Sequence, residues 1–304
     1  MTRKKLITIG TFDGVHLGHK ALFAKLEQLS VKLQMKAQVL YFPYPPKSLL
    51  AEQPAMTVLS TPPEKKALLK KCLSCRAEEL NFQMSREYTA EKFFKKVLLE
   101  KYNCGAILAG PDFAFGKNRQ GNSEFLKNKC AQLGIPCEIL PFYDGEDGSK
   151  ISSSLIRKTL AEGDIKTANA LLGRPYSLEG RVIEGKKLGR KIGFPTINLD
   201  INFYKLLPLG VFAVKVRVGR KFYRGICNIG FRPTVNPIDS IIPLVEVHLL
   251  DFRRSMYGHR VEVFFYDKIR SESKFDGLDA LKAQLSQDKE SACRLIDEQF
   301  KTAK

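Results

Sequence analysis

Long apolar runs are missing from this chain. None approaches the roughly 20 residues that cross a bilayer, and the basic start Met1-Thr2-Arg3-Lys4-Lys5-Leu6 leads into no signal-peptide core. These absences predict a cytoplasmic protein with no membrane partner. Paired cysteines are also scarce. The seven cysteines are odd in number and only Cys72 and Cys75 form a C-x-x-C, with no second pair to complete a zinc site. Reduced, partly buried thiols are expected. No P-loop lysine motif occurs, which excludes an ordinary NTPase. A dense basic tail is absent too, although 50 Lys and Arg against 32 Asp and Glu leave a net charge of +18. Charge spread over the whole chain suits a solvated surface and small phosphate ligands, so no nucleic-acid partner is expected. Histidine is rare, with four residues in 304.

What is present describes a globular protein of two domains, at 304 residues and 44% hydrophobic content. The first half alternates strand and helix. A strand over Leu6–Thr11 leads to a helix from about His19 to Leu33, where Leu22, Leu26, Leu29 and Leu33 recur at helical spacing. Ala37–Phe42 reads as a strand ended by Pro43, Pro45 and Pro46. Helices at Pro63–Lys71, Ala90–Lys101 and Ser123–Leu133 and strands at Gly105–Ala109 and Cys137–Leu140 continue the pattern. Such βαβ units build a parallel sheet with ligands at the C-terminal strand ends. After Leu172-Gly173-Arg174-Pro175 the pattern changes. Val211–Val218, Val245–Leu249 and Arg260–Tyr266 are strands separated by glycine turns, which predicts an antiparallel barrel or sandwich. Leu278, Leu281 and Leu285, then Leu295 and Ile296, predict terminal α-helices. The boundary falls near 174, giving domains 1–174 and 175–304, and no internal repeat is visible; a monomer or weak oligomer is expected.

Two of the four histidines lie in Gly10-Thr11-Phe12-Asp13-Gly14-Val15-His16-Leu17-Gly18-His19, between the first strand and the first helix. A helix N-terminus offers unpaired N–H groups to phosphate, glycines allow close backbone approach, and imidazoles add donors. A second strand-end loop, Gly110-Pro111-Asp112-Phe113-Ala114-Phe115-Gly116-Lys117-Asn118-Arg119-Gln120-Gly121, adds aromatics and cations. Lys150-Ile151-Ser152-Ser153-Ser154-Leu155-Ile156-Arg157 reads as a hydroxyl-rich helix start. Together these segments resemble the N-terminal adenylyltransferase module of the bacterial bifunctional riboflavin kinase/FAD synthetase family. The resemblance covers the whole first domain and implies a Rossmann-like nucleotidyltransferase fold. It implies that His16 and His19 bind ATP phosphates and stabilise the transition state. It further implies that Gly10, Thr11, Phe12, Asp13 and Gly18 surround the nucleotide and that Asp112 and Phe113 lie near nucleotide and flavin. Lys150, Ser153, Ser154 and Arg157 would then close over the triphosphate. One departure is visible: Pro43-Tyr44-Pro45 stands where the family often has Pro-His-Pro, and tyrosine can still stack and donate one hydrogen bond.

In the second domain Gly180, Gly185, Gly189 and Gly193 precede Phe194-Pro195-Thr196-Ile197-Asn198. The glycines suit either a phosphate-covering loop or a set of β-turns. Thr196 and Asn198 carry neutral oxygens on one face of an extended segment and can hold Mg²⁺ against ATP phosphates. Glu246 admits two readings: an outward glutamate on an alternating strand, or a general base for a substrate hydroxyl. The Gly-Phe-Pro-Thr-Ile-Asn stretch, Asn228-Ile229-Gly230-Phe231-Arg232-Pro233-Thr234, the Glu246 strand and Arg270-Ser271-Glu272-Ser273-Lys274-Phe275 resemble the riboflavin kinase module. That resemblance implies ATP and Mg²⁺ at Gly185, Gly189, Gly193, Pro195, Thr196 and Asn198, a base at Glu246, and Arg270 with the final helices holding the flavin. The substrates implied are ATP, riboflavin and FMN. A protein with one of the two sites decayed is the alternative, Tyr44 being its one hint.

Overall fold

The computed structural model describes residues 4–45, 57–81, 87–145, 148, 150–185, 187–231 and 243–301. The chain forms two compact units, Met1–Ser153 and Ser154–Lys304.

In the first unit, β1 (Lys5–Gly10), α1 (Leu17–Lys32), β2 (Lys36–Tyr41), α2 (Pro62–Cys72), β3 (Arg76–Glu79), α3 (Ala90–Lys92, running on as the π-helical Phe93–Lys101), β4 (Cys104–Ala109), α4 (Ser123–Gln132) and β5 (Cys137–Ile139) follow in order. The strands pair in parallel, in the spatial order β3-β2-β1-β4-β5. The order reverses at β1, whose neighbours are β2 on one side and β4 on the other, and such a switch point opens a crevice at the carboxyl ends of the strands. The loops after β1, β2 and β4 all leave from that edge. Both faces of the sheet are covered, since β1 and β4 are buried nearly throughout. Leu22, Phe23 and Leu26 of α1 pack on one face with Val39 and Leu108. Phe93, Phe94, Val97 and Leu98 pack on the other with Ile7 and Ile107. The stretch is π-helical, where an α-helix was expected. Strand β3, a run of charged side chains about one alanine, gave no period-two signal; it is an edge strand held by its pairing with β2.

Helix α5 (Ser153–Glu162) begins at the last residue of the first unit and runs on into the second, which continues with α6 (Ile165–Leu172). Asn169 ties α6 to the strands, its Nδ2 donating to Phe265 O at 2.8 Å and its Oδ1 accepting from Tyr176 N at 2.6 Å. Strands β6 (Tyr176–Ile183), β7 (Ile197–Ile201), β8 (Gly210–Val218), β9 (Lys221–Gly230), β10 (Leu244–Leu249) and β11 (Arg260–Arg270) close into an antiparallel barrel in the order β10-β7-β6-β11-β8-β9, with the short helix α7 (Leu188–Lys191) between β6 and β7. The barrel, not the sandwich, is the outcome. Phe212, Val216, Val247, Val263 and Phe265 are fully buried. The terminus is one helix, α8 (Leu278–Lys301), where several were expected. Its Ala292 and Ile296 pack on Val211, Ala213 and Ile226 outside the barrel.

Candidate functional sites

The loop after β1 is held in an unusual shape. Phe12, Gly14 and Val15 have φ of 48°, 78° and 43°, so two side-chain-bearing residues, one of them β-branched, sit in the left-handed region. Each such residue costs on the order of 1–3 kcal/mol, sustained only where the surroundings over-determine it. Here Asp13, 2% exposed, does so. Its carboxylate accepts from Leu59 N at 3.0 Å and Ser60 N at 3.0 Å, and Ser60 Oγ accepts from Gly14 N at 3.0 Å. Ser153 Oγ donates to Asp13 O at 2.9 Å. Asp13 and Ser153, both expected at the nucleotide, thus grip the loop itself.

The loop delivers two histidines to the start of α1. His16 is the residue before its first turn, in extended conformation, and His19 follows within that turn. Their rings stack with centroids 3.6 Å apart, and Phe12 meets His19 edge-on at 5.2 Å. The Phe12 ring lies over Gly10, where a Cβ would come within 2.7 Å of it, and a Cβ on Gly18 would crowd His16 at 3.2 Å. A side chain at Gly10 would have to displace the Phe12 ring, whereas one at Gly18 would only press on His16. Across the crevice edge, Asp112 is exposed and faces Lys150 at 3.8 Å, whose ammonium also caps the Phe142 ring at 3.2 Å. Phe113 stacks on Phe115 at 5.3 Å and packs into the core. Thr11 is half-buried; Ser154 is exposed and Arg157 half-buried on α5, in the second unit. Tyr44 is half-buried just past two carbonyls, Phe42 O and Pro43 O, that the fully buried Lys65 holds through its Nζ at 2.9 Å each. Pro46 lies outside the described residues.

In the second unit the register of the barrel builds the site. Glu246 stands directly between Asn198 on β7 and Asn228 on β9; Asn228 opposes Val211 on β8, and Val211 opposes Arg270 on β11. Residues paired across a sheet share a face, so these five form one row on the outside of the barrel. Of the two readings of Glu246, the outward-facing one describes its position. It points outward, alternating with buried Val245 and Val247, and the outside here is the wall of a cavity of about 530 Å³. Ile226, Phe194, Phe275, Leu281 and Leu285 give that cavity its apolar lining, with Glu246, Asn198, Asn228, Arg270 and Lys187 as polar groups.

Asn198 is 5% exposed, and its Oδ1 is buried with no hydrogen-bond partner. An orphaned neutral oxygen of this kind suits a hard cation. Its amide is pressed by Gly185, where a Cβ would lie 2.1 Å from Nδ2. Gly189 sits equally close to the Phe194 carbonyl, at 2.2 Å from a Cβ, and Gly193 turns with φ 86°. Thr196 and Pro195 are exposed beside them, and Pro195 O accepts from His248 Nδ1 at 2.7 Å. Arg270 is committed to α8: its Nε and Nη2 bind the Asp288 carboxylate at 3.0 and 2.9 Å, and it lies 5.4 Å from the Phe275 ring. Asn228, Glu272 and Asp288 were not singled out from sequence. Asn228 Nδ2 donates to Glu272 Oε1 at 3.3 Å, and the Glu272 carboxylate fills the space a Cβ on Gly230 would need. Asn228 opens one of the stretches that resemble the kinase module and Glu272 lies within another, so the sequence did carry a signal for both. Arg232, Pro233 and Thr234 lie outside the described residues. All seven cysteines are free; burial pushes the Cys104 thiol up to about 12, and burial and then Glu246 push Cys227 up.

Comparison with known proteins agrees with this division. The FAD synthetase family matches residues 1–155 and the riboflavin kinase family residues 172–296. A bifunctional riboflavin kinase/FMN adenylyltransferase of Haemophilus influenzae is 38% identical over 94% of this chain and 92% of its own length. One from Bacillus subtilis is 36% identical over 96% and 92%. A Streptococcus pneumoniae crystal structure described as a macrolide-efflux protein superposes with TM-score 0.84 at 32% identity, covering 96% of this chain and 94% of that one. Among the described residues of the present chain, no helix is long and apolar enough to cross a membrane. With both families matched in order, and relatives similar from end to end, the chain belongs to the bifunctional riboflavin kinase/FMN adenylyltransferase family.

Proposed function

We propose that the two activities of this enzyme divide between its two constellations, phosphorylation at the Glu246 row and adenylylation at the His16 loop. The enzyme phosphorylates riboflavin to FMN and adenylylates FMN to FAD, with ATP as co-substrate in both steps. The family matches end at 155 and resume at 172, which supports assigning residues 1–174 to adenylylation and 175–304 to the kinase. A soluble monomer or weak oligomer in the cytoplasm, with neither nucleic acid nor membrane as partner, accords with this chemistry.

The single observation that carries the kinase reading is the cross-strand register Asn198–Glu246–Asn228 on the cavity wall. Glu246 accepts the proton of the ribityl 5′-hydroxyl as that oxygen attacks the γ-phosphorus of ATP; the new O–P bond forms while the bond to ADP breaks. Asn198, with its unpartnered oxygen, and Thr196 hold the Mg²⁺. That ion supplies charge neutralisation for the phosphates. Gly185, Gly189, Gly193 and Pro195 let backbone approach the nucleotide, while Arg270, fastened to Asp288, lines the flavin cavity with the apolar side chains.

At the other site, a phosphate oxygen of FMN attacks the α-phosphorus of ATP and pyrophosphate leaves. His16 and His19 donate to the developing charge from the helix N-terminus, so positioning and electrostatics supply the rate. Gly10, Thr11, Phe12 and Gly18 surround the nucleotide; Asp112, Phe113, Lys150 and Ser153 complete the pocket within the first unit. Incubating the purified protein with riboflavin and Mg-ATP, and separating the flavins, tests the whole reading. FMN should appear first and FAD after it; FMN without FAD overturns the second assignment.

A further inference from the structure

The sequence put Asp13 among the groups around the nucleotide, yet its carboxylate is buried against the backbone of a segment 46 residues away. We infer that Asp13 is a positioning residue for adenylyl transfer: with Ser60 it clamps the left-handed Phe12–Val15 turn, and through that turn it sets the stacked His16 and His19 at the head of α1. The inference rests on assigning adenylylation to the His16 loop.

Three independent contacts converge on the turn. The carboxylate receives the amides of Leu59 and Ser60. Ser60 Oγ takes the Gly14 amide in the middle of the turn. Ser153 Oγ donates to the Asp13 carbonyl oxygen. Between the clamped residues the chain runs through three consecutive or near-consecutive positive φ values, at Phe12, Gly14 and Val15, which backbone preference alone would not keep. The Phe12 ring, turned by this backbone, is what meets His19 edge-on, and His16 follows Val15 directly. The anchor itself is stable because Leu59 and Ser60 are buried and lead into α2, whose first turn is closed by Thr61 and Glu64 acting on each other's backbone amides. An anionic acceptor makes the stronger hydrogen bonds, so a carboxylate and not a carboxamide suits the place.

The test uses the full-length enzyme, with its riboflavin kinase rate as an internal control. Asp13→Asn should lower the kcat of FMN adenylylation by about 100-fold, the penalty of misplaced catalytic groups, while the KM for ATP and the kinase rate stay unchanged. With only four histidines in the chain, ¹⁵N-histidine spectra resolve each ring. His16 and His19 should move, and His248 and His259 should not. Ser60→Ala should act in the same direction, and the double variant should cost less than the product of the single effects. A raised KM for ATP with kcat intact and histidine signals unmoved would make Asp13 a nucleotide contact and overturn the inference. Should Asp13→Asn fail to fold, Ser60→Ala decides: unchanged kcat and unchanged histidine signals refute the clamp. A His19→Ala enzyme that still makes FAD refutes the site assignment instead, leaving a distinguishable result.

Discussion

Glu246 stands on the outer surface of a barrel, where an alternating strand would ordinarily leave a glutamate in water. Its neighbours make the difference, since Asn198 and Asn228 flank it and the cavity closes over the row. Glu246→Gln should therefore lower kcat for riboflavin phosphorylation by about 10²–10⁴-fold, the usual worth of a general base, without changing the melting temperature. A stopped time course of FMN formation measures it. Asn198→Ala should raise the Mg²⁺ concentration needed for half-maximal kinase rate, read from a Mg²⁺ titration at fixed ATP. The thiols make a negative control. Burial holds Cys104 up at about 12 and raises Cys227 as well, so both stay protonated, and iodoacetamide at neutral pH should leave them unmodified by peptide mass analysis.

Helix α8 owes its place to two kinds of contact. Ala292 and Ile296 bury against the barrel, while the Arg270–Asp288 pair, with Asp288 1% exposed, fastens the helix beside the cavity. Asp288→Ala leaves the arginine without its partner and should cost about 3–5 kcal/mol, measured by denaturant unfolding. Lys65 does comparable work in the first unit, joining α2 to the end of β2 through two carbonyls. Lys65→Met keeps the volume but strands those acceptors, at roughly 1–3 kcal/mol. Elements of this kind differ in how far the chain announces them. The alternation of Val245–Leu249 and the leucine spacing of α1 were legible, because one buried face repeats with the period of the backbone. Strand β3 and the single continuous α8 were not. The first is an edge strand whose only requirement is a partner, and the second buries successive stretches against different surroundings, so its apolar stripe shifts along its length.

Two ATP-dependent steps in one chain share an intermediate, for FMN made by one site is the acceptor at the other. Single-site variants should separate them. Glu246→Ala should stop FMN formation yet still convert supplied FMN to FAD, whereas His19→Ala should let FMN accumulate. Chromatography of the flavins from both reactions checks this, and loss of both activities in either folded variant would contradict independent sites. The two units lie in order along the chain, each with its own core and its own sheet, and the hydrophobic period changes near residue 174, where the helices give way to the first barrel strand.

Sequence by itself determined the classes of the two units and the glycine loop with its two histidines, because each depends on spacing within a few residues; the expectation at Thr196, Asn198 and Glu246 came from the resemblance to the kinase module. Only the tertiary structure decided what the remaining carboxylates do. Asp13 binds amides 46 residues away, and Arg270 is bound by Asp288 rather than left free for a ligand. Glu246 lies between two asparagines drawn from separate strands. Such partners are chosen by sheet register and loop closure, and a side chain's own neighbours in sequence carry no record of them.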